Sequence, residues 1–308
     1  MNTICVLGSL NIDNSFLLSK LPKLGETVQG IGKLTNAGGK GCNQAVSASR
    51  LGASVSFIGK VGKDKHGEQL LDILKEEGID TSYVGLDKEA PTGEACILIQ
   101  QDGNNAIIVT SGANMELNSK DVQAARSTIE KADFLISQLE VPVPAIIEAF
   151  TYAKQHNVKT VLNPAPAGEI PDELLRLTDV LIPNETEMQV ITGKDSLSRE
   201  DMGIAAKALL EKGVHYVLVT LGEQGSLLCH SGGEVFVLSF KVNAVDTTAA
   251  GDSFIGAFTS KLDISRWEDV QHIREAVRFA SYFSSLVVQR KGAFSSIPFA
   301  DEVNYPVS

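Results

Sequence analysis

The chain has 308 residues, with 27 basic and 38 acidic side chains and a formal net charge of -11. A chain of this length buries roughly three quarters of the surface that its unfolded form exposes, so a large core is feasible without disulfides. The negative charge excludes an electrostatic footprint for nucleic acid or anionic lipid, and it suits an anionic ligand only where cations or amide dipoles gather locally.

Cysteine usage and the N-terminal residues indicate the compartment. The cysteines, Cys5, Cys42, Cys96 and Cys229, form neither a C-x-x-C pair nor a metal-spaced cluster with histidine. The first residues, MNTICVLGSL, lack the basic region of a signal peptide, and nowhere do about 18 apolar residues run together. We therefore expect a cytoplasmic protein that is neither exported nor membrane-bound.

Short β-branched runs alternate with segments of helical periodicity along most of the chain. The expected strands are TICVLG, SVSFIGKVG, FLISQLE, VKTVLN, VLIPN and YVLVTL. The expected helices are NQAVSASRL, HGEQLLDILKEEG, PAIIEAFTYAKQH and REDMGIAAKALLEKG. Because strands that are apolar along their whole length suit a parallel sheet covered on both faces, the alternation predicts an α/β fold. We expect a doubly wound, mostly parallel sheet flanked by helices.

Two segments do not fit this alternation. Residues 14–36 and 94–110 are expected to be extended, and in the second a polar QDGNN turn separates two apolar arms, which is a hairpin pattern. No linker rich in proline, glycine or serine and no internal repeat sets these segments apart. We therefore expect residues 1–308 to form a single domain in which the two segments are a small inserted β-sheet lid.

The passage DTTAAGDSF, residues 246–254, combines small residues, a predicted helix start near Gly251 and a carboxylate. The amides of Ala249, Ala250 and Gly251, with the positive end of the helix dipole, can cradle an anion. Asp252 in the first turn can accept a proton from a hydroxyl, so the passage suits phosphorylation of a hydroxyl group. Taken alone, Asp252 is also explained as an acid that stabilises the first turn of a helix.

Two further passages place polar groups beside glycines or a turn. NAGGKGCNQAVSASRLG, residues 36–52, has glycines and Lys40 before a helix that holds Asn43 and Gln44, and GSLNID, residues 8–13, follows the first strand. Each is also typical of an ordinary turn or helix entry. The chain has no G-x-x-x-x-G-K-[ST] and no G-x-G-x-x-G after a strand, which argues against a P-loop enzyme and against a nicotinamide-dependent oxidoreductase.

With LNPAPA (162–167), PNETE (183–187) and TLGEQG (220–225), these passages resemble, in order, the motifs of the ribokinase family of carbohydrate kinases. The match runs from residue 4 to about residue 298. The resemblance implies ATP-dependent phosphorylation of D-ribose at the 5-hydroxyl, with Asp252 as general base and an anion hole near Gly251. It leaves open a kinase for 2-deoxyribose or a related furanose, and more remotely a non-catalytic sugar or nucleotide sensor.

The resemblance also implies which residues hold the ligands. For the sugar they are Asn11, Asp13, Gly39, Lys40, Asn43, Glu140 and Asp252. Carboxylates and amides suit a polyol because a carboxylate accepts from neighbouring hydroxyls while an amide both donates and accepts. For ATP the residues are Asn184, Glu187, Thr220, Gly222, Gly225, Gly251 and Ser281, although the sequence alone reads Asn184 to Glu187 as a polar helix start.

Two cations and a second subunit follow from the same resemblance. Mg²⁺ is expected to accompany ATP, with the N-x-x-E passage associated with it through water. K⁺ is expected beside the anion hole, held mostly by carbonyl oxygens. Its implied positions are Asp246, Thr248, Val287, Arg290, Gly292 and Ser296. Because the lid sheet is too small to stand alone, we expect a homodimer in which a partner covers the lid's outer face.

Overall fold

The computed structural model describes residues 1–101 and 105–306. The strands are β1 Thr3–Leu7, β2 Asn11–Leu18, β3 Gly30–Gly38, β4 Ser54–Gly62, β5 Asp80–Asp87, β6 Gly93–Gln100, β7 Asn105–Thr110, β8 Phe134–Gln138, β9 Lys159–Asn163, β10 Val180–Leu181, β11 Tyr216–Thr220, β12 Gly225–His230 and β13 Gly233–Leu238. The helices are α1 Lys40–Arg50, α2 Lys65–Glu76, α3 Ser119–Ala124, α4 Arg126–Ile129, α5 Val143–Gln155, α6 Asp172–Arg176, α7 Glu185–Thr192, α8 Arg199–Glu211, α9 Ala250–Lys261 and α10 Val270–Val287.

Within those ranges the main sheet has nine strands, in the order β13-β12-β11-β10-β9-β8-β1-β4-β5. The pairs from β11 through β5 are parallel, and β12 and β13 are joined antiparallel at one edge. The prediction of a doubly wound, mostly parallel sheet flanked by helices is confirmed. Each of the predicted strands and helices is present within a few residues of its expected place.

Alternate residues of each central strand enter two separate cores. In β1, Ile4 and Val6 belong to the cluster that contains Phe258 of α9, while Cys5 and Leu7 belong to the cluster that contains residues of α5. Successive side chains of a strand point to opposite faces, so a strand that is apolar at every position needs helices on both sides. This burial explains why the central strands have no amphipathic alternation.

The lid is a separate sheet in the order β3-β2-β6-β7. The arms β6 and β7 pair antiparallel, as the hairpin pattern predicts, but residues 102–104 of the predicted QDGNN turn lie outside the described residues. The predicted extended run at 14–36 differs in its middle, because the described residues 19–29 contain no strand. Pro22 and Gly25 fall in this stretch and disfavour continued pairing.

The strand order reverses between the neighbours β1 and β8. The strands beside β1 continue to β4 and β5 at one edge of the sheet, and those beside β8 continue to β9 and on to β13 at the other edge. In open α/β folds the crevice at the carboxyl ends of two such strands is the usual ligand site. The passage GSLNID follows β1 and Glu140 follows β8, so the chain direction alone brings these polar residues to one crevice. The lid strand β2 begins in the same passage.

Within the described part of the chain, no helix has the length and apolar character needed to span a bilayer.

Candidate active site

The start of α9 forms a backbone cradle. Ala249 precedes the helix in the left-handed conformation (φ 59°), and the helix begins at Ala250, one residue before the predicted start. A left-handed residue followed by helical residues makes successive N–H groups converge, and the first amides of a helix lack partners within the helix. The Ala250 N–H already donates to Thr247 O at 3.2 Å. A Cβ built on Gly251 would meet no atom within 4 Å, so the backbone there is open to a ligand.

Asp252 lies in the first turn of α9 and is buried. One carboxylate oxygen accepts from Asn43 Nδ2 at 3.0 Å, and the other accepts from Gln44 Nε2 at 3.1 Å. Burial raises the Asp252 pKa, while Lys40 and the two amide hydrogen bonds act against that rise. A carboxylate with a raised pKa and free lone pairs is suited to accept a proton from a hydroxyl.

The residues expected to bind sugar collect around this carboxylate. Glu140 Oε2 accepts from the Lys40 backbone N–H at 3.1 Å, which ties the loop after β8 to the start of α1. Gly39 is the residue before α1 and has φ 91°, a conformation that glycine adopts without strain. Helix α1 starts at Lys40, so Lys40 lies inside the first turn and not before it as the sequence suggested.

Two of the expected sugar residues differ in their hydrogen bonding. Asn43 Oδ1 is buried and has no partner among the described residues, so a ligand hydroxyl could satisfy it. Asn11 is buried, and its Oδ1 accepts from Asn114 Nδ2 at 2.8 Å. The side-chain oxygen of Asn11 therefore already accepts a hydrogen bond within the protein, unlike that of Asn43.

The carboxylates of the site influence one another. Burial raises the pKa of Asp13 to about 7, with further contributions from Glu140 and Asp252, and Lys40 acts in the opposite direction. Burial lowers the Lys40 pKa, but the carboxylates of Asp252, Glu140, Glu187 and Asp13 outweigh it and raise that pKa overall. Lys40 therefore stays charged among the acids, and its charge keeps a strongly acidic crevice compatible with an anionic ligand.

Asp252 also lines a cavity of about 1210 Å³. The expected site residues that line it are Lys40, Asn184, Glu187, Thr220, Gly222, Gly225, Ala249, Ala250, Gly251, Asp252 and Ser281. The structure thus brings together every residue expected to contact ATP. Asn184 and Glu187 also form a reciprocal capping box at the start of α7, so the polar helix start read from the sequence is present as well.

The residues expected to hold K⁺ are not among those that line the cavity. Asp246 connects two other residues of this set. Its carboxylate accepts from the Thr248 backbone N–H at 2.9 Å and from the Gly292 backbone N–H at 2.9 Å. Ser296 Oγ donates to Ala293 O at 2.7 Å, and Arg290 pairs with Glu302. These side-chain contacts of Ser296 and Arg290 do not reach Asp246.

Sequence reasoning gave no role to several polar groups of the site. Ser9 Oγ donates to Glu140 Oε2 at 2.5 Å, and Gln44, Gln138 and Asn163 form a buried amide chain beside Asp252. Gln138 carries a visible signal, since it is a polar residue at the end of an otherwise buried apolar strand. Asn163 lies in LNPAPA and Gln44 in GGKGCNQA, but neither passage indicates which side chain its amide contacts.

Known proteins resemble the chain over nearly its whole length. The ribokinase of Staphylococcus aureus (strain COL) is 43% identical over 305 residues, which cover 98% of this chain and 99% of that protein. The deoxyribokinase of Salmonella typhi is 34% identical over 302 residues, covering 98% and 97% respectively. The solved structure of Arabidopsis thaliana ribokinase complexed with ribose and ATP superimposes with a TM-score of 0.87 at 34% identity, covering 97% of this chain and 96% of that one.

The fold and the site are those of an α/β kinase that acts on a small molecule, in which the open start of a helix lies beside a buried carboxylate. The profile of the pfkB family of carbohydrate kinases matches residues 1–300. The chain belongs to the pfkB family of carbohydrate kinases, and the family resemblance of its motifs is confirmed.

Proposed function

We propose that the chain transfers the γ-phosphoryl group of ATP to the 5-hydroxyl of D-ribose, with Asp252 as the general base. The observation that carries this proposal is the position of Asp252. Its carboxylate is hydrogen-bonded to Asn43, which we propose binds the sugar, and Asp252 lines the large cavity. A hydroxyl held there can approach a phosphate in the cavity while its proton points to the carboxylate.

In the proposed reaction Asp252 accepts the proton of the 5-hydroxyl as that oxygen bonds to the γ-phosphorus. The bond from phosphorus to the β,γ-bridging oxygen breaks, and ADP leaves with that electron pair. Ala249, Ala250 and Gly251 line the cavity, and we propose that their amides stabilise the charge that develops on the transferred group. The Ala250 N–H must then give up its bond to Thr247 O, and Lys40 adds a positive charge at the same cavity. Catalysis of this type depends on positioning and on charge stabilisation more than on covalent chemistry.

We propose that Asn11, Asp13, Gly39, Lys40, Asn43 and Glu140 hold the sugar, and that the cavity receives ATP. Its volume of about 1210 Å³ is ample for a nucleotide. Asn184 and Glu187, at the start of α7, line this cavity, and we propose that they lie near the phosphates. Helix α10 contributes Ser281 to the lining of the cavity.

We also propose that Mg²⁺ and K⁺ act in this site. Among the described residues, no group of three or more His, Cys, Asp or Glu side chains could hold a metal ion. This fits a Mg²⁺ that arrives on the ATP phosphates, because such ions keep several waters and need few protein ligands. When bound, Mg²⁺ supplies neutralising charge to the phosphates, and K⁺ near Asp246, Thr248, Val287, Arg290, Gly292 and Ser296 would supply charge behind the anion cradle.

The nearest alternative is a kinase for 2-deoxyribose or a related furanose, and the similarity to a deoxyribokinase supports it. Asp13 favours ribose, because a sugar without the 2-hydroxyl would leave a half-buried acceptor unpaired at a cost of roughly 1 to 3 kcal/mol. That cost corresponds to about 5-fold to 150-fold in kcat/KM, and a water filling the gap would reduce it.

The proposal is tested by a sugar panel with ATP and Mg²⁺, in which ADP release and the phosphorylated position are both measured. We expect ribose to give the highest kcat/KM, with phosphate on the 5-oxygen. Equal or better kcat/KM with 2-deoxyribose would replace the proposed substrate and keep the role of Asp252. The same assay in potassium and in tetramethylammonium tests the monovalent site, since equal rates would remove K⁺ from the proposal.

We propose further that residues 1–308 form one domain and that two copies associate through the lid. The lid strands β2 and β3 follow β1 and precede α1 with short connections, which supports a lid inserted in one domain. Leu34, Ile107 and Val109 on the lid are 68%, 56% and 51% exposed, and an exposed apolar sheet face calls for a covering surface. Free thiols at Cys5, Cys42, Cys96 and Cys229 support the proposal of a cytoplasmic location.

A further inference from the structure

A chain of buried side-chain amides ends on the carboxylate of Asp252. Gln44 Nε2 donates to Asp252 Oδ1 at 3.1 Å and to Asn163 Oδ1 at 3.3 Å, so both of its N–H groups are used. Gln138 Nε2 donates to Gln44 Oε1 at 2.7 Å. Asn163 Nδ2 donates to the backbone carbonyl of Ile182 at 3.0 Å. Gln44, Gln138 and Asn163 are all buried.

The orientation of each amide in this chain is determined by its neighbours. The Ile182 carbonyl can only accept, so Asn163 must turn its nitrogen to Ile182 and its oxygen to Gln44. Gln44 must then turn its nitrogen to Asn163 and to Asp252, and its oxygen to Gln138. A flipped Gln44 amide would face its oxygen against two acceptors and leave the Gln138 donor without its partner.

The result for Asp252 is a carboxylate that is fixed from both sides. Asn43 donates to Oδ2 and Gln44 donates to Oδ1, so rotation of the carboxyl group would break two hydrogen bonds at once. Each oxygen keeps lone-pair capacity for a hydroxyl. Asn43 is already proposed to bind the sugar, whereas Gln44 and Gln138 have no such role.

We propose that Gln44 and Gln138 are positioning residues for the general base: Gln138 fixes the Gln44 amide, and Gln44 holds the Asp252 carboxylate ionised and aimed at the reacting hydroxyl. This inference rests on the proposed function of Asp252. A hydrogen bond from a neutral amide favours the charged form of a carboxylate, so loss of that bond must make Asp252 easier to protonate. A residue that only fills the core would leave this titration unchanged.

The test compares Gln44→Leu and Gln138→Leu with the matched control Ser137→Ala. Ser137 neighbours Gln138 in β8 and is buried, and its Oγ donates to Leu7 O at 2.8 Å, so the control also loses one buried hydrogen bond. The Asp252 titration is followed by carboxyl ¹³C NMR of aspartate-labelled protein, with the resonance assigned through its loss in Asp252→Asn. Thermal melting checks that each variant folds.

For Gln44→Leu we expect the Asp252 pKa to rise by about one unit, since a donor to the charged form is removed. The acidic limb of the kcat profile should move upward by the same amount, with KM for ATP changed by less than about twofold. Gln138→Leu should shift both in the same direction by less, and Ser137→Ala should shift neither. If Gln44→Leu does not fold, Gln138→Leu decides the matter alone.

An unchanged Asp252 titration in the folded variants would overturn the inference, even if their turnover falls. The NMR readout needs no substrate, so it remains decisive if the enzyme phosphorylates no pentose and the proposed function fails. Conversely, ribose turnover that is lost in Asp252→Asn, combined with unshifted titrations in Gln44→Leu and Gln138→Leu, would refute the positioning role and leave the proposed function in place.

Discussion

At the residue scale, the proposed chemistry depends on one carboxylate. Asp252→Asn should keep the fold and the nucleotide affinity, because the amide has the same shape and lies on the same helix start. It cannot accept the proton of the hydroxyl, so kcat should fall by about 10² to 10⁴. Steady-state kinetics on ribose and a nucleotide-binding titration measure both effects. A variant that retains more than about a third of the wild-type rate would refute the assignment of the base.

Asp13 gives the site a pH dependence. Its pKa is raised to about 7 by burial and by the neighbouring acids, so above that pH it is mostly a carboxylate, the stronger acceptor for sugar hydroxyls. We expect kcat/KM for ribose to rise with pH through about 7, because this parameter reports groups of the free enzyme. Asp13→Asn should lower kcat/KM and remove that part of the profile. An unaltered profile in the variant would show that another group controls the limb.

The residues of the site could be predicted where a sequence motif requires one type of side chain at one position. Asp252, Lys40 and Asn184 were found in that way, and the structure places them at one cavity. The amide chain was not predictable, because Gln44 and Gln138 are 94 residues apart and meet only in the folded crevice. The residues proposed to bind K⁺ pose the same problem. A backbone carbonyl such as that of Gly292 can bind a cation whatever the side chain is, so the sequence carries no sign of it.

At the element scale, the close passage of β3 beside β2 shapes the sugar site. A Cβ built on Gly38 would overlap the Asp13 carboxylate, whereas a Cβ on Gly32 of the same strand meets nothing within 4 Å. Gly38→Ala should therefore displace Asp13 and raise KM for ribose by about tenfold or more, the size expected for lost hydrogen bonds to a charged group. KM for ATP should stay close to its wild-type value.

The matched control for this prediction is Gly32→Ala, which adds the same methyl group to the same lid strand. It should leave both KM values unchanged. Similar increases in KM for ribose in the two variants would mean that alanine disturbs β3 in general and that Asp13 is not the cause. Comparison of melting temperatures would separate that outcome from a loss of the lid.

The elements themselves were largely predictable because buried parallel strands and the helices that cover them have distinct periodicities. The limits of the lid were not. β2 begins at Asn11, inside a passage that reads as a turn, and β3 continues to Gly38, inside a glycine-rich passage. These ends are determined by the pairing of β2 with β3. Pairing depends on both segments together, so the local sequence of either segment does not show where its strand begins or ends.

At the scale of the whole molecule, the register of the lid aligns Leu34, Ile97 and Ile107 on the face that carries Asp13. Leu34, Ser15, Ile97 and Ile107 lie directly across from one another on β3, β2, β6 and β7, and Asp13 points to the same face of β2. The face that would meet a partner therefore continues from the proposed sugar site. Association of two copies would shield that face and the mouth of the site together.

The dimer is tested by a charge placed on that face. Ile107→Lys should dissociate the dimer. Ile107 is 56% exposed in one subunit, and a lysine at this position would place an unpaired ammonium group in the buried interface. Ile108→Lys is the control, since Ile108 is 62% exposed but points to the opposite face of β7. Light scattering should give twice 32.9 kDa for the wild type and the control, and 32.9 kDa for Ile107→Lys. A monomeric wild type at micromolar concentration would contradict the proposal.

The left-handed conformation of Ala249 has a consequence for the balance between stability and rate. An alanine with φ 59° is strained by roughly 1 kcal/mol relative to a glycine in the same conformation. The strain is present before any nucleotide arrives, so in the proposed reaction the folded protein carries part of the cost of arranging the amides for the phosphate. On the proposed mechanism, the conformation of Ala249 lowers the stability of the folded protein and reduces the reorganisation that phosphoryl transfer requires when ATP binds.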